Sequence, residues 1–127
     1  MSSQDVLCQE KKRLRKLLRS MRRELSPVRA AELSERICER FLSTRAWHQA
    51  QSLALYYPKL DHENEVDTQT LFTQALLAQK RVFLPKVLPN HQLGFLPWTR
   101  ESKLLPNRFG LLEPQGEAQE TAAIELF

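Results

Sequence analysis

Apolar positions recur along the first part of the chain with a helical period. Leu7, Leu14, Leu17, Leu18, Met21 and Leu25 fall on one arc at about 100° per residue, which predicts a helix over 7–25. Ser26-Pro27 restarts the pattern: Ser26 can accept hydrogen bonds from the free amides of a new helix, and Pro27 sits where a missing N–H costs nothing. This second helix carries Ala30, Leu33, Ile37 and Phe41 on its apolar face and runs out near Ser43-Thr44. Helices joined this tightly are expected to pair as a hairpin.

Beyond Trp47 the period shortens. Leu53-Ala54-Leu55-Tyr56-Tyr57, closed by Pro58, has the length and apolar content of a strand covered on both faces. Lys59 to Glu65 is a polar loop, and Asp67 or Thr68 can cap a helix that turns Leu71, Phe72, Ala75 and Leu76 inward. Arg81-Val82-Phe83-Leu84-Pro85 predicts the next strand. Strand, helix and strand make a βαβ unit with parallel strands and the helix on one face. Leu93 to Pro97 predicts a further strand, and the segment from Trp98 to Pro114, marked by proline and glycine, a loop with a short helical turn. The fold class is α/β: a helical hairpin followed by a mostly parallel sheet with a βαβ crossover. With 127 residues, 42% of them hydrophobic, residues 1–127 form a single domain. The chain turns apolar again from Ala122 to Phe127, and it is expected to stop before the last strands of such a sheet.

Charge changes the picture at one end only. The net charge is +4, and 12 of the 19 Lys/Arg but only 6 of the 15 Asp/Glu lie within residues 1–45. An anionic partner is expected there: nucleic acid, acidic lipid or a phosphorylated small molecule. On the helical wheel Lys11, Arg15, Arg19 and Arg22 form a stripe beside the apolar arc, where the body of the protein would shield them from water and strengthen a grip on polyphosphate. Lys12, Lys16 and Arg23 point away. A purely solubilising role stays open, and the stripe does not by itself separate ATP from RNA. A nucleic-acid module would be expected to interleave aromatic residues, and none occurs before Phe41, so nucleic acid is the lesser alternative.

Candidate chemistry gathers after the first strand, at the end of the sheet where open α/β folds collect ligands. The segment holds Asp61, His62, Glu63, Glu65 and Asp67. A carboxylate here can receive two adjacent N–H donors in paired geometry, as an amidine-like edge would present them. Asp67 reads as the helix cap ahead of a ligand, and Asp61, His62 and Glu63 read as a polar loop without a further cluster to complete a metal site. Tyr56 and Tyr57 alternate, so one is expected in the core and the other toward the site. Cys8 and Cys38 lack the neighbours of a zinc site or disulfide framework and read as free thiols. No apolar run approaches a membrane span and no signal peptide opens the chain, so the expectation is a soluble cytoplasmic protein without a membrane partner.

Taken in order, Lys11-Lys12-Arg13-Leu14-Arg15, Leu25-Ser26-Pro27, Leu55-Tyr56-Tyr57, Glu65-Val66-Asp67-Thr68, Lys80 to Lys86 and Phe109-Gly110-Leu111-Leu112-Glu113-Pro114 resemble the 5-formyltetrahydrofolate cyclo-ligase family, also called methenyltetrahydrofolate synthetase, over nearly the whole chain. The resemblance implies conversion of 5-formyltetrahydrofolate to 5,10-methenyltetrahydrofolate with ATP and Mg²⁺. It implies ATP contacts at Lys11, Lys12, Arg13, Leu14 and Arg15, and folate contacts at Glu65, as partner of the pterin, and at Tyr57. Phe109 is divided between lining the folate pocket and a core role. The implied chemistry is attack of the formyl oxygen on the γ-phosphorus, closure of N10 on the activated carbon and departure of phosphate, so charge neutralisation and positioning are the protein's task. A glycine-rich phosphate segment of the family has no counterpart among Gly94, Gly110 and Gly116. Full ligase activity is therefore not expected of residues 1–127 alone, and a folate-binding relative without turnover is a further alternative.

Overall fold

A computed structural model describes residues 2–59, 64–117 and 124–127. Helix α1 spans Ser3–Arg23; Ser2 caps it, accepting from the Asp5 amide while Asp5 bonds back to the Ser2 amide. Helix α2 spans Pro27–Leu42 behind the expected Ser26-Pro27 start, with the Ser26 hydroxyl accepting from the Arg29 amide. A short helix absent from the sequence reading, α3 (Arg45–Gln49), begins at Thr44, whose hydroxyl accepts from Trp47 N–H. It drops Trp47 into the core, where Phe41 meets its ring at 5.7 Å.

The expected βαβ unit is present. Strand β1 (Ser52–Ala54) pairs in parallel with β2 (Arg81–Leu88), and α4 (Gln69–Leu77) crosses between them. Leu53 and Leu84 are almost fully enclosed, and Leu71, Phe72 and Ala75 of α4 close over Val82 and Leu84. Strand β3 (Gln92–Trp98) corrects the expectation of a mostly parallel sheet, because it pairs antiparallel with β2 and the sheet, in the order β1-β2-β3, is mixed. The physical reason is the length of the connection. Only Pro89, Asn90 and His91 join β2 to β3, with Asn90 and His91 at positive φ, and a turn this short can only reverse the chain.

The segment expected as loop and helical turn is a second sheet. Strands β4 (Leu104–Pro106) and β5 (Leu112–Pro114) form a hairpin whose turn is organised by Asn107: its Oδ1 accepts from the Phe109 and Leu111 amides, and Gly110 supplies φ +77°. Past Phe83, β1 has ended and β2 is open on that side. Pro85 places its missing N–H there, and the Val87 N–H is taken by a Glu113 carboxylate oxygen at 2.8 Å. The other flank of β1 is met by the last described residues: Leu126 bridges Leu53 in parallel and its carbonyl accepts from the Ala54 amide at 2.7 Å, where the sequence expects a further strand to begin.

The helical hairpin departs furthest from expectation. No residue of α1 is buried, and Leu14, Leu17, Leu18 and Met21 of its apolar arc are exposed. In α2 the inward face is Ser34 and Cys38, while Ile37, expected inside, is exposed. Core stability thus sits in the sheet and α4. Leu53→Ala should destabilise the protein by about 2–5 kcal/mol, and Leu18→Ala should stay within about 0.5 kcal/mol, both read from urea midpoints.

Candidate functional site

Residues 64–68, which carry the chain from the end of β1 into α4, form a strap fixed on two sides. On the sheet side the Thr68 hydroxyl donates to the Tyr56 carbonyl at 2.8 Å, and the Tyr56 hydroxyl donates to the Val66 carbonyl at 3.0 Å. On the helix side the Asp67 amide donates to Ser34 Oγ at 3.0 Å, and the Cys38 thiol lies 3.5 Å from the Asp67 carbonyl. The Asn64 carboxamide donates to the carbonyls of Arg22 at 2.9 Å and Leu25 at 2.8 Å, at the end of α1. Asp67 Oδ1 accepts from the Gln69 amide at 3.0 Å, so its carboxylate serves the first turn of α4, whose cap position is Thr68. Glu65, half-buried, is carried on this strap with bonded residues before and after it.

The electrostatics report the same convergence. The Tyr56 hydroxyl is pushed up to about 12, by burial first and then by the charges of Glu65, Cys38 and Asp67, against a lowering influence of Arg22. Burial, followed by the charge of Asp67, raises the Cys38 thiol and keeps it protonated. Glu65 is thus near enough to the Tyr56 hydroxyl to oppose its ionisation. Tyr57 is placed differently: its ring packs on Phe72 of α4 at 5.7 Å and lines a depression of about 240 Å³ with Phe72, Trp98 and Arg100. Of the two tyrosines, Tyr56 is the one beside Glu65.

Lys11, Lys12, Arg13, Leu14 and Arg15 all lie on exposed turns of α1. Arg13 is held by Glu10 at 2.5 Å on the surface, an arrangement that raises its guanidinium and lowers Glu10. Lys12, Arg15, Lys16, Arg19 and Arg23 border a groove of about 420 Å³. The stripe expected at the edge of a core is thus displaced. With no residue of α1 buried, the arc beside Leu14 has no low-dielectric wall among the described residues, and Lys12, Lys16 and Arg23, expected to point away, join Arg15 and Arg19 on one surface. Phe109 is no core residue: it is 54% exposed, the Arg108 guanidinium lies 4.8 Å from its ring centre, and it borders a groove of about 490 Å³ with Val87, Leu88 and Glu113. Glu113 of the Phe109 to Pro114 motif works structurally, accepting from Val87 N–H and from Asn107 Nδ2 at 2.9 Å.

Asp61, His62 and Glu63 lie outside the described residues. Among the described residues no three His, Cys, Asp or Glu side chains gather to hold a metal ion, and no helix is long and apolar enough to cross a membrane. Sequence reasoning passed over Asn64 and Ser34 as site-building residues, and left Tyr56 and Tyr57 undivided between core and site; the only signal for Ser34 was its polarity among apolar neighbours in α2. The raised Tyr56 hydroxyl gives a pH test. A folded value above the unfolded one stabilises the fold fully below about pH 10, and this stabilisation is lost as pH rises through about 12. Tyrosinate absorbance should show one tyrosine titrating near pH 12, a step that Tyr56→Phe removes.

The family whose sequence pattern matches residues 7–127 is described as the 5-formyltetrahydrofolate cyclo-ligase family. A 5-formyltetrahydrofolate cyclo-ligase of Haemophilus influenzae is 26% identical over 113 residues, covering 87% of this chain and 59% of its own length. One of Escherichia coli strain K12 is 32% identical over 101 residues, 78% of this chain and 54% of that protein. The chain spans little more than half the length of these relatives. Among solved structures, Aquifex aeolicus 5,10-methenyltetrahydrofolate synthetase superposes with TM-score 0.72 at 30% identity, over 90% of this chain and 57% of that one. The Mycoplasma pneumoniae 5,10-methenyltetrahydrofolate synthetase gives 0.57 at 27%, over 69% and 53%.

Proposed function

Starting from a chain that belongs to the 5-formyltetrahydrofolate cyclo-ligase family, we propose that it supplies the substrate-binding half of an ATP-dependent conversion of 5-formyltetrahydrofolate to 5,10-methenyltetrahydrofolate. The observation that supports the reading is the strap: bonds of Asn64 and Asp67 fix the backbone on both sides of Glu65, one residue from the contact between Asn64 and the end of the cationic helix. A carboxylate carried on a backbone fixed in this way accepts the paired N–H donors of a pterin edge with little reorganisation. Tyr57, packed on Phe72, and the exposed Phe109 are the aromatic faces assigned to the rest of the folate.

The nucleotide's phosphates are assigned to α1. Lys11, Lys12, Arg13, Leu14 and Arg15 form the turn that meets ATP, with Lys12 and Arg15 opening onto the groove. Arg13 would have to leave Glu10 to take part. At 1.5 Å per residue, Arg15 lies roughly 10 Å along the helix from Arg22, so a triphosphate laid along the groove brings its far end toward the turn that Asn64 ties to Glu65. The cations there neutralise charge that shifts between formyl oxygen, phosphorus and leaving phosphate. Mg²⁺ fits as a companion of the phosphates, since the described residues gather no three-ligand cage of their own. The three glycines of residues 1–127 stand too far apart to wrap a phosphate, so binding, and not turnover, is the activity to measure on this chain. The cytosol, where folate and ATP meet, is the fitting compartment.

Calorimetric titration with 5-formyltetrahydrofolate tests the reading. Loss of a charge-assisted contact worth about 1.5–3 kcal/mol predicts roughly 10- to 100-fold weaker binding by Glu65→Ala. Charge reversal at Lys12 and Arg15 should weaken ATP and leave the folate affinity unchanged. Equal affinity of wild type and Glu65→Ala for the folate, or a wild type that binds RNA with a steep salt dependence and no folate, contradicts it.

A further inference from the structure

We propose that Asn64 is a positioning residue that sets the separation between Glu65 and the cationic face of α1. The Asn64 carboxamide reaches across about 40 positions of sequence to the carbonyls of Arg22, in the last turn of α1, and of Leu25, just beyond its cap, at 2.9 and 2.8 Å. The orientation is dictated by chemistry. Turned over, the carboxamide would face two carbonyl oxygens with its own oxygen, so both of its hydrogens point to α1. Asn64 also adopts φ +54°, a left-handed conformation that asparagine tolerates and branched residues resist, and this bend delivers Glu65 to the strap directly after the contact.

The staple matters because side-chain burial does not place α1: none of its residues is buried. A helix held mainly near one end is a lever. Cys8 lies 14 residues before Arg22, roughly 21 Å along the axis, so a small rotation at the staple sweeps the Lys11 to Arg15 turn through several ångströms. The hydrogen bonds of Asn64 thus fix where a phosphate on α1 stands relative to a ring held by Glu65. The ligand part of this inference rests on the proposed folate function; the mechanical part does not.

Two variants separate the roles. Asn64→Gly keeps the left-handed backbone and removes the donors, and Asn64→Asp keeps size and backbone but turns a carboxylate on two carbonyl oxygens. Cys8 is exposed and Cys38 buried, so a thiol-directed dye labels α1 at Cys8. With the fold checked by circular dichroism, both variants should show faster nanosecond depolarisation of the dye and altered energy transfer from the tryptophans, Asn64→Asp most. In titrations, Asn64→Gly should lose about tenfold more affinity for 5-formyltetrahydrofolate and for ATP when the other ligand is present than when each is titrated alone, as expected for loss of two hydrogen bonds' worth of positioning. Unchanged depolarisation and transfer in both variants overturns the staple. Altered depolarisation with unchanged binding in the ternary complex overturns its positioning role, whereas a wild type that binds neither ligand overturns the folate function and leaves the dye measurement to decide the staple.

Discussion

The side chain on which the ligand reading turns is placed by hydrogen bonds that its neighbours make. Thr68 and Tyr56 close the strap onto the end of β1, Ser34 takes the Asp67 amide from α2, and Asn64 reaches the end of α1. Each bond is worth only about 1 kcal/mol net, but together they tie α1, none of whose residues is buried, to α2 and the sheet. Remove the strap and the cationic helix, the inward edge of α2 and the sheet lose their common reference. Glu65 is the residue within that frame whose carboxylate can be turned to a ligand.

The second constraint is the contrast between a dry sheet and a wet helix. Leu53, Val82 and Leu84 are enclosed by α4 and by Trp47, whereas α1 keeps its leucines and its cations in water. Cations in water are screened and individually weak, so an exposed basic helix binds a polyphosphate by number and alignment. Lys12, Arg15, Lys16 and Arg19 lie along one such surface of α1.

What was legible in the sequence follows the range of the interactions. The Ser26-Pro27 start, the βαβ unit, the start of α4 at Asp67-Thr68 and the third strand rest on neighbours a few residues apart, and they stand in the structure as read. The mixed sheet was missed although its cause is local: the brevity of Pro89-Asn90-His91 dictates reversal, and the pattern of apolar residues does not carry direction. The β4–β5 hairpin was missed because Asn107 and Gly110 organise its turn through bonds that composition does not display. For the site, Glu65 was proposed from its place after the first strand and from family resemblance. Asn64, Ser34 and Tyr56 act across roughly 30 to 40 positions or through a side chain to a distant carbonyl, and no periodicity reports such bonds. The inward face of α2 keeps Phe41 as expected but turns from Ile37 to Ser34 and Cys38, which the strap supplies with partners that a hydrophobic count cannot foresee.

The central claim is that the strap is a structured extension of the sheet. Native-state hydrogen exchange of the Asp67 amide, which donates to buried Ser34, measures this directly. The account predicts that it exchanges only with the larger openings that release the Leu55 amide from Phe83. Exchange of Asp67 at the rate of an unprotected loop, with Leu55 still protected, would contradict it.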